Sequence, residues 1–279
     1  MINMAAMPTD RDKAARDLLA FYLEAGADAP VGETATDWLS PDAPDLSPAR
    51  AATVPPSAAA RPVLPPRAAP IVPAQAPPPP AAEAAVMAAR EAARSAASLD
   101  ELRTILEAFD GCALKGTATQ LVFADGTPNS RVMFVGEAPG YEEDKSGLAF
   151  VGRSGQLLDK MLAAIGLNRS QVYIANIVPW RPPGNRTPTP VETQICLPFI
   201  QRQIELSDPD ILVTIGQPST GALLNVQGIT KNRGRWQPYH TGTREIRAMP
   251  MLHPAYLLRT PIAKRLAWRD FLAIKKALG

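Results

Sequence analysis

Cysteine is nearly missing from this chain. Two occur in 279 residues, Cys112 and Cys196, too few for a secreted scaffold held by several disulfides. Histidine is as scarce, with only His240 and His253. No apolar run approaches the roughly 20 residues that cross a bilayer, so no membrane partner is expected. The first residues lack the basic-then-apolar order of a secretory signal. These features together lead to the expectation of a cytoplasmic protein. No G-x-G-x-x-G or Walker pattern stands where a nucleotide site needs it, and a nucleotide-binding enzyme would rest on the glycines alone.

Proline is abundant but uneven. Residues 41–80 hold 14 of the 30 prolines, with alanine filling much of the rest. Such a stretch has no apolar periodicity and little to bury, so it reads as a disordered linker. Three regions follow: an N-terminal extension at 1–40, the linker at 41–84, and a catalytic domain at 85–279. Residues 10–26 read as a short amphipathic helix capped by Asp10, with Leu18, Leu19, Phe21, Tyr22 and Leu23 as its stripe. That helix either folds back or meets a protein partner; the sequence does not choose. Charge is uneven too. Residues 1–130 carry 10 Lys+Arg against 16 Asp+Glu, residues 131–279 carry 19 against 11, and beyond residue 225 the count is 11 against 2. A basic C-terminal third suits a polyanion.

From residue 82 the chain alternates. An Ala-rich helical stretch breaks near Ser98, where S-L-D-E matches a capping box. Strands are expected at 132–136, 172–176, 211–215 and 246–251, with helices at 154–165, after Thr189, and at about 263–277. This order predicts an α/β fold, a three-layer sandwich around a mainly parallel sheet. In such sheets ligands bind at the carboxyl ends of the strands. Chemistry-bearing residues gather there. Glu137 and an acid cluster (Glu142, Glu143, Asp144) follow the first strand, Asn176 ends the second, and His253 follows the last.

The motifs GEAPGYEED…FVGRSGQLLDKML, YIANIV…RPPGNRTPTP and HPAYLLR, in that order from about Asp110 to Trp268, resemble the family 4 uracil-DNA glycosylases. The resemblance implies a four-stranded sheet and a monofunctional glycosylase. Such an enzyme hydrolyses the N-glycosidic bond of uracil, and of other deaminated bases, in single- or double-stranded DNA, leaving an abasic site. A monomer is expected. The base must leave the stack before it can be excised. The resemblance assigns catalysis to Glu137 and His253. Glu137 would position water or steady the cation-like sugar, and His253 would stabilise the leaving anion. Phe150 would stack on the base, although AFV alone reads as a core run. Asn176 would read O4 and N3–H of uracil, because one amide offers both a donor and an acceptor. Ala138 and Glu143 complete the substrate-binding set, with Glu143 near C5 excluding the methyl group of thymine. Gly152, Ser154 and Gly155 lie at a helix N-terminus whose free N–H groups welcome phosphate. Arg186 approaches the strand. In the HPAYLLR loop, Leu258 is the wedge and Arg259 the plug or phosphate contact.

One departure is plain. The family's [4Fe–4S] cluster takes four cysteines. Here Cys112 and Cys196 match the second and fourth, while Phe109 and Trp180 occupy the first and third positions. Two thiolates do not hold that cluster, so no cofactor or metal is expected, and the two thiols are remnants. A related branch traps the sugar through a histidine in an insertion. Here Arg181 runs directly into PPGNRTPTP, so ordinary hydrolysis is expected. The competing reading is a non-catalytic damaged-DNA-binding protein on the same fold.

Overall fold

The computed structural model describes residues 80–279. The helix expected at 10–26 and the linker up to residue 79 lie outside the described residues. Helix α1 (Pro80–Ser95) takes in the last residues of the stretch read as linker. Proline costs no hydrogen bond at a first helical position, and the alanines that follow are strong helix formers. Ser98 then caps a restart of the chain as α2 (Leu99–Ala108), while the Glu101 carboxylate reaches the residue before the cap and so closes only half of the expected box. The Ser98 hydroxyl accepts from the Glu101 N–H at 3.2 Å, and the Glu101 carboxylate accepts from the Ala97 N–H at 2.7 Å.

The sheet has six strands in the order β1-β3-β2-β4-β6-β5. They are β1 (Asp125–Gly126), β2 (Val132–Gly136), β3 (Tyr173–Asn176), β4 (Ile211–Ile215), β5 (Gln237–His240) and β6 (Glu245–Met251). The four expected strands form its parallel centre, and β1 and β5 add an antiparallel strand at each edge. The count of four is corrected to six. A two-residue Asp-Gly strand and a polar strand holding Pro238 carry no apolar signature, and proline is tolerated at sheet edges.

Strands β2, β3 and β4 are buried on both faces, as continuous apolar runs require. Met133 and Val135 of β2 face a core shared with α1, α2 and α5 (Pro190–Ser207). Val132 and Phe134 face the opposite core, with Leu158 and Leu162 of α4 (Arg153–Ala164) and Phe271 and Ile274 of α9 (Lys264–Leu278). This alternation sets a helical layer on each face of the sheet.

Three short helices shape the carboxyl edge: α3 (Tyr141–Ser146) after β2, α6 (Gln217–Leu224) after β4, and α8 (Pro254–Arg259) after β6. A fourth, α7 (Ile229–Asn232), precedes β5. The HPAYLLR segment is therefore a helix, where the sequence reads as a loop. Pro254 at its first position and the His253 cap start it. Six residues are too few for a visible 3.6-residue period.

Candidate active site

A cavity of about 430 Å³ opens at the carboxyl edge of the parallel strands. Its walls come from the loop after β2, the end of β3, the Pro-rich segment before α5 and the start of α8. Glu137, Ala138, Glu143, Phe150, Ser154, Asn176, Arg186, His253 and Arg259 all line it. Residues separated by more than a hundred positions thus meet in one hollow.

The register of β2 and β3 builds its floor. Asn176, 4% exposed, pairs with Gly136. A Cβ on Gly136 would lie 2.5 Å from Asn176 Oδ1 and 2.6 Å from the Phe150 ring. Only glycine lets the amide and the ring approach the strand end together. Phe150 lies 5.7 Å from the His253 ring, centroid to centroid.

Two buried oxygens in this hollow have no hydrogen-bond partner among protein atoms, Asn176 Oδ1 and Glu137 Oε1. Buried polar atoms are ordinarily paired, so two orphans facing one cavity mark a place for a polar ligand. Burial raises the Glu137 carboxyl above its ordinary value, and Thr187 offsets part of the rise.

His253 caps α8. Its Nδ1 accepts from the Ala255 N–H at 3.1 Å. The proton of the neutral ring therefore sits on Nε2. Burial first, and Arg259 second, push its pKa down to about 4, against the pull of Glu143. The imidazole is a neutral donor at physiological pH.

The profile of the Uracil DNA glycosylase superfamily matches residues 123–272. A type-4 uracil-DNA glycosylase of Sulfurisphaera tokodaii is 39% identical over 185 residues, which cover 64% of this chain and 84% of the relative. That of Thermotoga maritima is 43% identical over 150 residues, covering 53% and 77%. That of Archaeoglobus fulgidus is 34% identical over 187 residues, covering 65% and 94%. The chain belongs to the uracil-DNA glycosylase superfamily, among its type-4 members.

Several members of the expected site do local work. Glu143 accepts from the Gly140 N–H at 3.1 Å and the Gly152 N–H at 2.8 Å, stapling the two turns of the motif. This corrects the reading of Gly152 as a free phosphate donor, because its N–H is already engaged. Gly155 is buried beneath Phe150, where a Cβ would come within 1.5 Å of the Phe150 carbonyl oxygen. Its size serves packing. Ser154 alone of the three lines the cavity. Arg186 forms a forked pair with Glu192 at 2.8 and 2.7 Å. Glu192 also accepts from the Thr189 N–H, and Arg186 draws its carboxyl down to about 2. The pair braces the Pro-rich segment at the cavity rim. On α8, Tyr256 and Leu258 are partly exposed, at 38% and 36%. Thr187 and Pro188 also line the cavity, and sequence reasoning did not single them out.

The cluster implied by the family does not fit the donors present. The Cys112 and Cys196 sulfurs lie 3.9 Å apart and are buried. Phe109 packs edge-on against Phe199 at 5.0 Å, and Trp180 is 2% exposed in the same core. Among the described residues no three His, Cys, Asp or Glu side chains are grouped to hold a metal. The hydrogen bond to Cys112, with burial, pushes the Cys196 thiol well above its ordinary value.

A hollow of similar size lies around Arg131, Arg244 and Asp210, away from the strand ends that carry Glu137 and Asn176. There Asp210 pairs with both Arg131 and Arg244, and Arg247 lies over the Trp236 ring.

Proposed function

We propose that this chain excises uracil from DNA as a monofunctional glycosylase, hydrolysing the bond between N1 of the base and C1′ of the sugar. The observation that carries the reading is the pair of orphaned oxygens, Asn176 Oδ1 and Glu137 Oε1, beside an aromatic wall and a neutral imidazole. An extruded uracil stacks on Phe150. Asn176 donates to O4 and accepts from N3–H; cytosine offers the reverse pattern and leaves both partners unpaired. The His253 Nε2–H donates to O2, where negative charge develops as the C1′–N1 bond breaks and its electron pair moves to the base. Glu137, ionised, orients the water whose oxygen bonds to C1′ and accepts the proton it sheds. Glu143, fixed by its two N–H donors, closes the wall toward C5 and opposes thymine. Ser154 and Arg259 meet the strand at the rim, Arg186 holds the rim in shape, and Leu258 wedges the duplex.

One chain supplies every one of these groups, so a monomer acting on single- or double-stranded DNA is sufficient. Its place is the cytoplasm, where paired thiols stay reduced. The fold stands without the iron–sulfur cluster, with aromatic packing at two of the four ligand positions. Purified protein should carry no iron and show two titratable thiols after unfolding. Stoichiometric iron with a visible charge-transfer band would overturn this.

The direct test is a labelled uracil-containing oligonucleotide treated with protein and then alkali. Cleavage only after alkali is expected; no cleavage by folded protein on either form of DNA would sink the reading. The pH profile is a second check. The acid limb of kcat/KM should lie above the ordinary glutamate value, because burial raises Glu137 and the rate is lost as pH falls through that raised value. Glu137→Gln should slow excision about 100-fold and remove that limb.

A further inference from the structure

Phe150 has an unusual backbone. Its φ is +56°, in the left-handed region that residues with a Cβ seldom adopt. The ring can face Gly136 and the cavity only while this local conformation holds. Something outside the motif holds it. Arg169, in the single turn before β3, spends all five of its donors around this point. Its Nη1 donates to the Ala149 carbonyl at 2.9 Å and its Nη2 to the Phe150 carbonyl at 2.6 Å. The remaining three bonds go to carboxylates. Nη1 reaches Asp125 at 2.5 Å, while Nε and Nη2 reach Asp159 at 3.1 and 2.8 Å. Asp159 lies on α4, whose Gly155 presses against the same Phe150 carbonyl.

We propose that Arg169 is the positioning residue of the base pocket, clamping two successive carbonyls so that Phe150 keeps its left-handed turn and its ring stays against the strand end. This rests on the reading of Phe150 as the platform for the flipped base. The arrangement needs a planar fork. A guanidinium directs five N–H groups in one plane, whereas an ammonium offers three on a tetrahedron. Asp125 and Asp159 draw the guanidinium from two sides and fix the plane of the fork. The clamp also ties the loop carrying Phe150 to the turn that launches β3, whose last residue is Asn176, so platform and reader keep a common frame.

The test is a double-mutant cycle in the full chain. Arg169→Lys keeps the charge and loses the fork. Single-turnover release of uracil should fall about 100-fold, as a misplaced reacting partner costs. The inhibition constant for free uracil should rise by a similar factor, while affinity for a uracil-free oligonucleotide stays unchanged. A general loss of structure would weaken both kinds of binding. In a Phe150→Ala background, Arg169→Lys should have almost no further effect, because the group it positions is gone. An equal loss in both backgrounds would overturn the clamp. Asp159→Asn, which keeps the shape and removes one counter-charge, carries the same comparison should the lysine variant not fold. Full excision by Phe150→Ala alone would overturn the platform reading, an outcome separate from additivity in the cycle.

Discussion

Asn176→Ala should abolish uracil release without unfolding the protein. The expected loss in kcat/KM is about a thousandfold, since the variant surrenders both bonds that orient the base and neither can be replaced by water in a closed pocket. Affinity for uracil-free DNA should hold, because the amide lies on the cavity floor, away from the rim. Thermal stability gives an independent signature. Asn176 Oδ1 is buried without a partner among protein atoms, and a buried acceptor that nothing else satisfies costs about 1–3 kcal/mol. Its removal should leave the melting temperature unchanged or raise it. A folded variant that still excises uracil at the parental rate would remove Asn176 from the site.

Substitution of His253 should separate chemistry from architecture. His253→Ala loses the Nε2–H donor and the cap on α8 together. The rate should drop about 100- to 1000-fold, with about 1 kcal/mol of stability lost with the cap. His253→Asn is the informative partner. Asparagine is among the best helix caps, so α8 should keep its start and the melting temperature should recover. Asparagine does not place a donor where the imidazole Nε2 stood, so the rate should stay low. Recovery of rate together with stability would show that His253 acts only through the helix.

Much of this site is readable in the chain. Glu137 follows and Asn176 ends a short apolar strand, His253 follows the apolar end of β6, and parallel strands bring such positions to one edge. The parallel centre of the sheet is legible for the same reason. What stays hidden is set by contacts between distant residues. Arg169 sits in an ordinary-looking N-R-S-Q turn, and its partners Asp125 and Asp159 lie 44 and 10 positions away. No periodicity marks such a convergence. Gly152 looks like a phosphate-facing glycine until Glu143, nine positions earlier, claims its N–H. The edge strands escape notice because β1 spans two residues and β5 carries a proline. The short helix α8 escapes because its opening proline and its length both imitate a turn.

The bond from the Ala255 N–H to His253 Nδ1 gives one ring two masters. The same atom that starts α8 also dictates which nitrogen carries the proton. Leu258 stands one turn further along that helix, partly exposed. If Leu258 wedges the duplex as proposed, a tilt of α8 under that contact would reach the imidazole through the same bond. On the proposed reading, recognition of bent or opened DNA and the readiness of the anion-stabilising imidazole would turn on one shared pivot.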